Sequence, residues 1–407
     1  MTRYSKIFLY LTTIAVLAWL LPWAYNFTTP DTRSVPFTML SEVNNRFLMN
    51  HFSDNKFAMI DEDGNIYGEN EVDSLLPTFY YRQLISDGRM PDSLNGRPFT
   101  PKDIQTGNFM FRCSPSDINM CPTGLYSLLE SMSGRVDLVM PTDVFRITDQ
   151  GIEFVDIESN RVDREKSKTF TDALLKKGFV FPAREISGNP TTRKEYDLGY
   201  ILIDNDHKVF RLMMVKGRPF VRNTGIDPAL EMRHAFVTEY RSRRYFAFLT
   251  DKDHRFYVLD KDYNLIPLPV GHFDPEKESM MIIGNMFNWT VRTSGENRVD
   301  WYGIDSQDHS LIRSRDTVFQ ASTAEKIAEY LFPFTLSYTS YSDKFAYPRL
   351  DDFSYKALIL NVILAAGLVL IKRRKKRPCL TGAVVTVFTG LYGFIAFLLL
   401  KTPSSGR

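Results

Sequence analysis

The chain has 407 residues, with 50 Lys plus Arg against 48 Asp plus Glu, a formal charge of +2 and 14% aromatic residues. The near-neutral total hides an uneven distribution: residues 1–26 hold two basic residues and residues 356–407 hold nine, with no acid in either, so residues 27–355 carry 39 basic and 48 acidic residues, a net of −9. Binding to nucleic acid needs basic patches, so an acidic central region excludes it as the expected partner.

In chain order, the first element is the uncharged stretch Ile7 to Ala24, preceded by Arg3 and Lys6 and closed by Trp19, Trp23 and Tyr25. Basic residues before an apolar span and aromatics at its far end predict a transmembrane helix with the N-terminus in the cytoplasm. Val16-Leu17-Ala18 offers a small-residue cleavage site, but the apolar stretch runs on through Trp19-Leu20-Leu21. We therefore expect a retained anchor rather than a signal peptide.

Residues 27–355 predict an extracytoplasmic domain built mainly of β-strands. Its signature is a repeated pattern of apolar β-formers, an Asp-rich turn and more β-formers. Copies run Tyr200 to Leu212, Phe246 to Leu259, Asp300 to Ile312 and Phe57 to Tyr67, with a weaker one at Val144 to Phe154. Each predicts a hairpin, because Asp and Asn bond to nearby backbone and tolerate left-handed turns. His207, His254 and His309 occupy matching turn positions, and intervals of 47 and 55 residues suit propeller blades of about 40–50 residues. The expected fold is propeller-like, with a β-sandwich of hairpins as the rival; three histidine turns are expected to ring one face. Helices are expected at Tyr126 to Met132, at Thr171 to Lys177 before Gly178, and after the capping box Ser322-Thr-Ala-Glu325.

The C-terminal region predicts two further spans. Residues 356–371 form the second, and residues 380–400 the third. The second has an apolar stretch of about 22 Å at ~1.5 Å per residue, shorter than a hydrocarbon core of about 30 Å. Snorkelling of Lys356 and Lys372 would close the gap. Between them, in the loop 372–379, lie Lys372, Arg373, Arg374, Lys375, Lys376 and Arg377. Such a run stays cytoplasmic, which sends residues 27–355 and the tail 401–407 to the outside. The lipid bilayer is thus one partner. Small or polar residues recur every four positions, as Ala357, Asn361 and Ala365 on one helix and Gly382, Thr386 and Gly390 on the other. These rows suit close helix packing, either as a hairpin or against a partner's helices.

Candidate chemistry is sparse. Cys113 and Cys121, on the oxidising side, are expected to pair as a loop staple, since a redox site would show Cys-x-x-Cys. Asp61-Glu-Asp63-Gly64-Asn65 opens like a calcium loop, but Ile66 and Val72 stand where that loop needs Gly and a bidentate Glu. It reads as a hairpin turn. Esterase, zinc-protease and phosphate-loop signatures are absent from the sequence, so no catalytic, metal or cofactor residues are assigned.

Leu76 to Leu84, Leu125 to Met132 and Gly188-Asn-Pro-Thr-Thr-Arg-Lys-Glu-Tyr-Asp197-Leu-Gly-Tyr200 resemble an uncharacterised bacterial membrane-protein family of unknown function. The resemblance extends over most of the chain and brings no catalytic residues. Its members tend to accompany ABC-transporter components, which implies an accessory role and a permease as partner. The expected function is a non-enzymatic accessory or sensor subunit of an inner-membrane complex. The alternative is a membrane-tethered periplasmic hydrolase or carbohydrate-binding protein.

Overall fold

The structure, a computed structural model, describes residues 3–29, 35–53, 56–119, 123–132, 134, 137–338, 348–374 and 380–400. It divides into two compact units, one drawn from residues 35–118 and 122–317 and one from the two ends of the chain. Helix α1 (Arg3–Thr28) belongs to the second.

Among the described residues, the β unit holds five antiparallel sheets of three or more strands. The first is a meander of β1 (Thr38–Leu40), β2 (Phe47–Ser53), β3 (Lys56–Ile60) and β4 (Ile66–Tyr67), followed by α2 (Glu69–Leu75) and α3 (Tyr81–Ser86). A ribbon of β5 (Ser93–Leu94) and β6 (Arg97–Pro98), then α4 (Pro101–Gly107), β7 (Phe109–Cys113) and α5 (Pro115–Asn119), lead onward. The second sheet is β8 (Asp143–Ile147), β9 (Ile152–Asp156) and β10 (Arg161–Asp163), capped by α6 (Arg164–Lys176). The third is β11 (Glu185–Gly188), β12 (Tyr200–Ile203), β13 (Val209–Val215) and β14 (Arg218–Asn223). The fourth is β15 (His234–Val237), β16 (Tyr245–Thr250), β17 (Phe256–Asp260) and β18 (Leu265–Pro267). The fifth is β19 (Ser279–Gly284), β20 (Asn288–Ser294), β21 (Arg298–Asp305) and β22 (Leu311–Val318), with β7 added on the β19 edge.

Shared cores show how the sheets stack. Phe145 and Phe154 of the second sheet and Phe170 of α6 pack with Tyr200, Leu202 and Phe210 of the third. Ile201, Ile203 and Val209 turn the other way, onto Ala247 and Leu249 of the fourth. Phe248 and Val258 then meet Phe111, Ile282 and Trp289 of the fifth. Ile283 of the fifth packs on Met39, Leu48 and Met59 of the first. Side chains alternate between strand faces. A sheet buried on both faces therefore reads as a continuous apolar run, as in Tyr200-Ile-Leu-Ile203. The first sheet in sequence lies on the last, joined by the Leu40 N–H donating to Thr290 Oγ1 at 2.8 Å.

All five copies of the Asp-turn pattern are hairpins: β12–β13, β16–β17, β21–β22, β3–β4 and β8–β9. Three of the turns share one device. Oδ1 of Asp61, Asp204 and Asp251 accepts from the backbone N–H two and four residues on, at 2.8–3.0 Å. The residue three on takes a left-handed φ: Gly64 at 86°, His207 at 63° and His254 at 58°. His207 and His254 thus stand where Gly64 stands in another copy, whereas the left-handed His309 lies four residues after Asp305. The three histidines do not ring one face. His207 and His254 lie between the second and third strands of their sheets, whereas His309 lies between the third and fourth strands of the fifth. Successive connections of a meander alternate ends, so His309 sits at the opposite end.

Two helix expectations change. Residues 126–132 are extended rather than helical: Tyr126 bridges Phe145, the Ser131 N–H donates to Met214 O, and Leu128 and Leu129 are buried. An apolar run that packs on both sides mimics a helix pattern over seven residues. The helix expected over residues 171–177 starts earlier, at Arg164, because Asp163 accepts from the Lys166 N–H as N-cap.

The second unit contains α1, α7 (Thr323–Leu331), the hairpin β23 (Thr335–Tyr338)–β24 (Pro348–Asp351), α8 (Ala357–Arg374) and α9 (Leu380–Leu399). Ser322 caps α7 with Glu325, as its capping box predicts. Among the described residues, two helices, not three, are long and apolar enough to cross a membrane: Tyr4–Thr28 and Leu380–Leu399. Lys372, Arg373 and Arg374 form the last turn of α8, so its uncharged stretch stops at Ile371. α8 packs on α9, and α1 joins them through Ile14 and Ala18 against Tyr392 and Ala396.

Candidate functional site

Meander topology brings the connections between first and second strands to one end of each four-stranded sheet. In the first, third, fourth and fifth sheets these are residues 41–46, 189–199, 238–244 and 285–287. Hydrogen bonds tie neighbours together there. Asn189 Nδ2 donates to Glu239 Oε2 at 2.8 Å, Arg244 Nη2 to Ser306 O at 3.0 Å, and Asn285 Nδ2 to Glu42 Oε1 at 3.0 Å. A pocket opens at each step. One of 440 Å³ is lined by Glu195, Tyr196, Asp197, Arg243, Tyr245 and Phe246. One of 680 Å³ is lined by Lys102, Phe109, Ser242, Arg244, Asn285 and Trp289, with Tyr245 again. A third, of 240 Å³, shares Phe109 and Asn285 with the second. Tyr245 reaches two pockets because the ladder of β16 on β17 is irregular between Tyr245 and Ala247. A bulge of this kind re-aims a side chain.

A buried ionic cluster organises the first pocket. Lys194 Nζ lies 2.7 Å from both Asp197 Oδ1 and Glu239 Oε1, with all three side chains at most 5% exposed. Its third donor reaches Asn189 O at 2.6 Å. Asp197 Oδ2 accepts from Ser131 Oγ at 2.5 Å, and Glu239 Oε1 from the Leu198 N–H at 2.8 Å. Burial raises the Glu239 carboxyl above its ordinary range despite Lys194 and the Leu198 N–H. Two carboxylates share one ammonium, so the cluster locks the connections 189–199 and 238–244 together, and Ser131 ties in a third segment. Beside it, Arg243 stacks over Tyr196 at 4.4 Å and Arg241 pairs with Glu195 at 3.0 Å.

Glu42 organises the far pocket. It is 1% exposed and accepts from Thr78 and Asn285 on Oε1, while Oε2 has no partner among the described residues. Burial pushes its carboxyl up to about 7, against the smaller opposing pull of the Thr78 hydroxyl. Behind the middle pocket, His309 Nε2 lies 3.3 Å from Tyr245 Oη. Burial, and then the Arg244 charge, lower the His309 pKa.

The residues singled out from sequence lie elsewhere. Cys113 ends β7 and is buried; Cys121 lies outside the described residues, and with it the expected bridge. Asp61 is engaged by its own hairpin: Oδ2 accepts from Tyr67 and Asn65, and Oδ1 from two backbone N–H groups. Burial would raise its carboxyl, but these donors hold it well below the usual carboxylate range. Lys372 and Arg373 close α8, while Lys375, Lys376 and Arg377 lie outside the described residues. The small-residue rows are brought together. Ala357, Asn361, Ala365, Gly382, Thr386 and Gly390 are all buried, and Asn361 Nδ2 donates to Val387 O at 3.0 Å. Gly390 breaks the helix locally at φ 56°, and a Cβ there would meet Asn361 Oδ1 at 2.2 Å. Sequence reasoning missed Glu42, Glu239 and the pockets. Lys194 and Asp197 fall within the segment that carried the family resemblance, which was the available signal.

A family model described as a domain of unknown function, DUF4857, matches residues 37–304. The chain belongs to the DUF4857 family. The match lies on the β unit, and Glu42, Lys194, Asp197, Glu239 and the three pockets fall within its residues. No curated protein matches the sequence. Among solved structures, the DUF4857 chain aligns at 8% identity with PorZ, a bacterial surface component of the type-IX secretion system of Porphyromonas gingivalis. That alignment covers 73% of this chain and 34% of PorZ, with a TM-score of 0.23. The β-propeller domain of Myceliophteria thermophila Cps50 (Swd1) aligns at 8% identity over 48% of this chain and 88% of its own, with a TM-score of 0.17. At those scores neither likeness carries a fold argument.

Proposed function

We propose that this DUF4857 protein is a membrane-anchored accessory or sensor subunit of a membrane complex, an ABC-transporter permease being the kind of partner expected. One observation carries the reading. The chain enters the β unit from one apolar helix, α1, and leaves it toward another, α9. A domain tethered at both ends acts at the membrane. The basic run between α8 and α9 favours a cytoplasmic loop there. An outer β unit requires in addition that α8, whose uncharged stretch is too short to qualify, crosses as a third span. Five sheets stacked in series, with the first against the last, favour a propeller-like module whose loop face reads a ligand or partner. Crosslinking in native membranes followed by mass spectrometry tests the assignment. Recovery of a membrane-protein partner supports it; recovery of the protein alone as a monomer overturns it. A reporter fused near residue 200 that is active only in the cytosol overturns the sidedness.

A specific observation favours a second reading, a carbohydrate-binding protein. The 680 Å³ pocket sets Phe109, Tyr245 and Trp289 beside Ser242, Asn285 and Lys102, apolar rings with polar groups at their rim. Binding of the full-length protein to a glycan array, lost in Tyr245→Ala, would favour it.

A further inference from the structure

The face of the fifth sheet turned toward the first carries a row of donors. Register sets Arg112 of β7, Met281 of β19, Arg292 of β20 and Trp301 of β21 directly opposite one another. Residues so paired share a face. Ile283 and Met281 on that face pack against Met39, Leu48 and Met59, and a Cβ added at Gly303 would meet the Leu40 side chain at 2.6 Å. Trp301 is 2% exposed, and its Nε1–H has no acceptor among the described residues. The Nε–H of Arg292 is likewise buried without one. Neither Arg112 nor Arg292 makes an ion pair among the described residues. Burial, and then the Arg112 charge, lower the Arg292 pKa. On β22, Arg315 reaches the first sheet, Nη1 lying 2.8 Å from the Met49 thioether Sδ.

Each buried N–H left without an acceptor costs about 1–3 kcal/mol. Two neighbouring guanidinium groups add repulsion. Two buried donors with no acceptor among the described residues, beside an exposed arginine in a region whose net charge is −9, are the reverse of what composition favours. The group that would satisfy them carries negative charge and several acceptor oxygens. We propose that Arg292 and Trp301, with the exposed Arg112 at the rim, form an anion-binding site at the margin between the fifth and first sheets, for the carboxylate or phosphate of a small ligand. The guanidinium fork of Arg292 matches such an oxyanion, and the indole N–H fixes one of its oxygens. Because the site lies between sheets rather than on the loop face, it stands or falls independently of the partner and glycan readings.

The full-length protein in detergent, at low ionic strength, is titrated with inorganic phosphate and separately with succinate. Thermal unfolding and calorimetry follow binding, against sodium chloride at matched ionic strength. A saturable response to either anion supports the site, and the anion preferred names the source, phosphate or carboxylate. Apparent affinity is expected to fall at least about tenfold in Arg292→Met and severalfold in Trp301→Phe, which keeps the ring and loses the donor. Arg292→Lys keeps the charge without the fork and gives an intermediate affinity, which covers the case of a methionine variant that fails to fold. No response beyond that of chloride, or equal responses in wild type and a folded Arg292 variant, overturns the proposal.

Discussion

Glu42→Gln is expected to remove most of a pH-dependent loss of stability in the β unit. Burial holds the Glu42 carboxyl near 7 in the folded state, against 4.5 for the ordinary group. The folded form therefore binds a proton that the unfolded chain releases between those values. The stabilisation is fully present below about pH 4.5 and is lost as pH rises through about 7. At about 1.36 kcal/mol per pH unit, the gap corresponds to roughly 3 kcal/mol, an upper figure because a carboxylate relaxes toward any water it can reach. Glutamine imitates the protonated acid and keeps an acceptor for Thr78 and Asn285. Denaturant unfolding of the detergent-solubilised chain from pH 4 to 8, followed by far-ultraviolet circular dichroism, measures the effect. Wild type and variant should agree near pH 4 and diverge by up to about 3 kcal/mol at pH 8, with the variant the more stable. Glu185, which burial also raises to about 7, contributes slope to both proteins and drops out of the difference. Parallel curves across the whole range would refute the assignment of a buried, protonated Glu42.

The remaining expectations test other layers of the structure. Lys194→Met strands two buried carboxylates, and unfolding should show a loss of about 3–5 kcal/mol, partly restored by adding Glu239→Gln; a neutral Lys194→Met would dissolve the cluster as a structural element. Asp251→Ala removes the acceptor for two backbone N–H groups and the Tyr257 hydroxyl, so stability should drop by about 1–3 kcal/mol in the same assay. His207→Asn and His254→Asn keep a residue that tolerates left-handed φ and should change stability by less than about 1 kcal/mol; a large loss would reveal a role beyond the turn. Gly390→Ala drives a Cβ into Asn361 and should lower the thermal aggregation midpoint, whereas Gly367→Ala, with nothing within 4 Å, should leave it unchanged.

Hairpins were legible from sequence because their signal is local. An Asp that caps two N–H groups, followed by a left-handed residue, needs only five consecutive positions. The capping box at Ser322 is equally local. The stretch over residues 126–132 misled because its apolar residues answer to neighbours distant in sequence, with Ser131 bonded to Met214. The shared face expected for the histidine turns failed for a related reason. Hairpins alike in sequence can occupy different places in a meander, and strand order separates His254 from His309. The candidate site was least legible. Glu42 follows an ordinary apolar strand, and its character comes from Thr78 and from Asn285, which lies 243 residues away. Lys194, Asp197 and Glu239 look like a solvated charge group until two loops close on each other around them.

The contact of the opening sheet with the closing one sets an order of assembly. Residues 38–67 leave the ribosome early, but the surface that covers Met39, Leu48 and Met59 includes residues near 283, and the Leu40–Thr290 bond spans 250 positions. At about 5–20 residues per second, the nascent amino-terminal strands wait roughly 10–50 s for their cover. The middle sheets find neighbours as soon as they emerge. The newborn polypeptide thus holds one greasy, unpaired surface throughout synthesis, and chaperone dependence should concentrate in its first seventy residues.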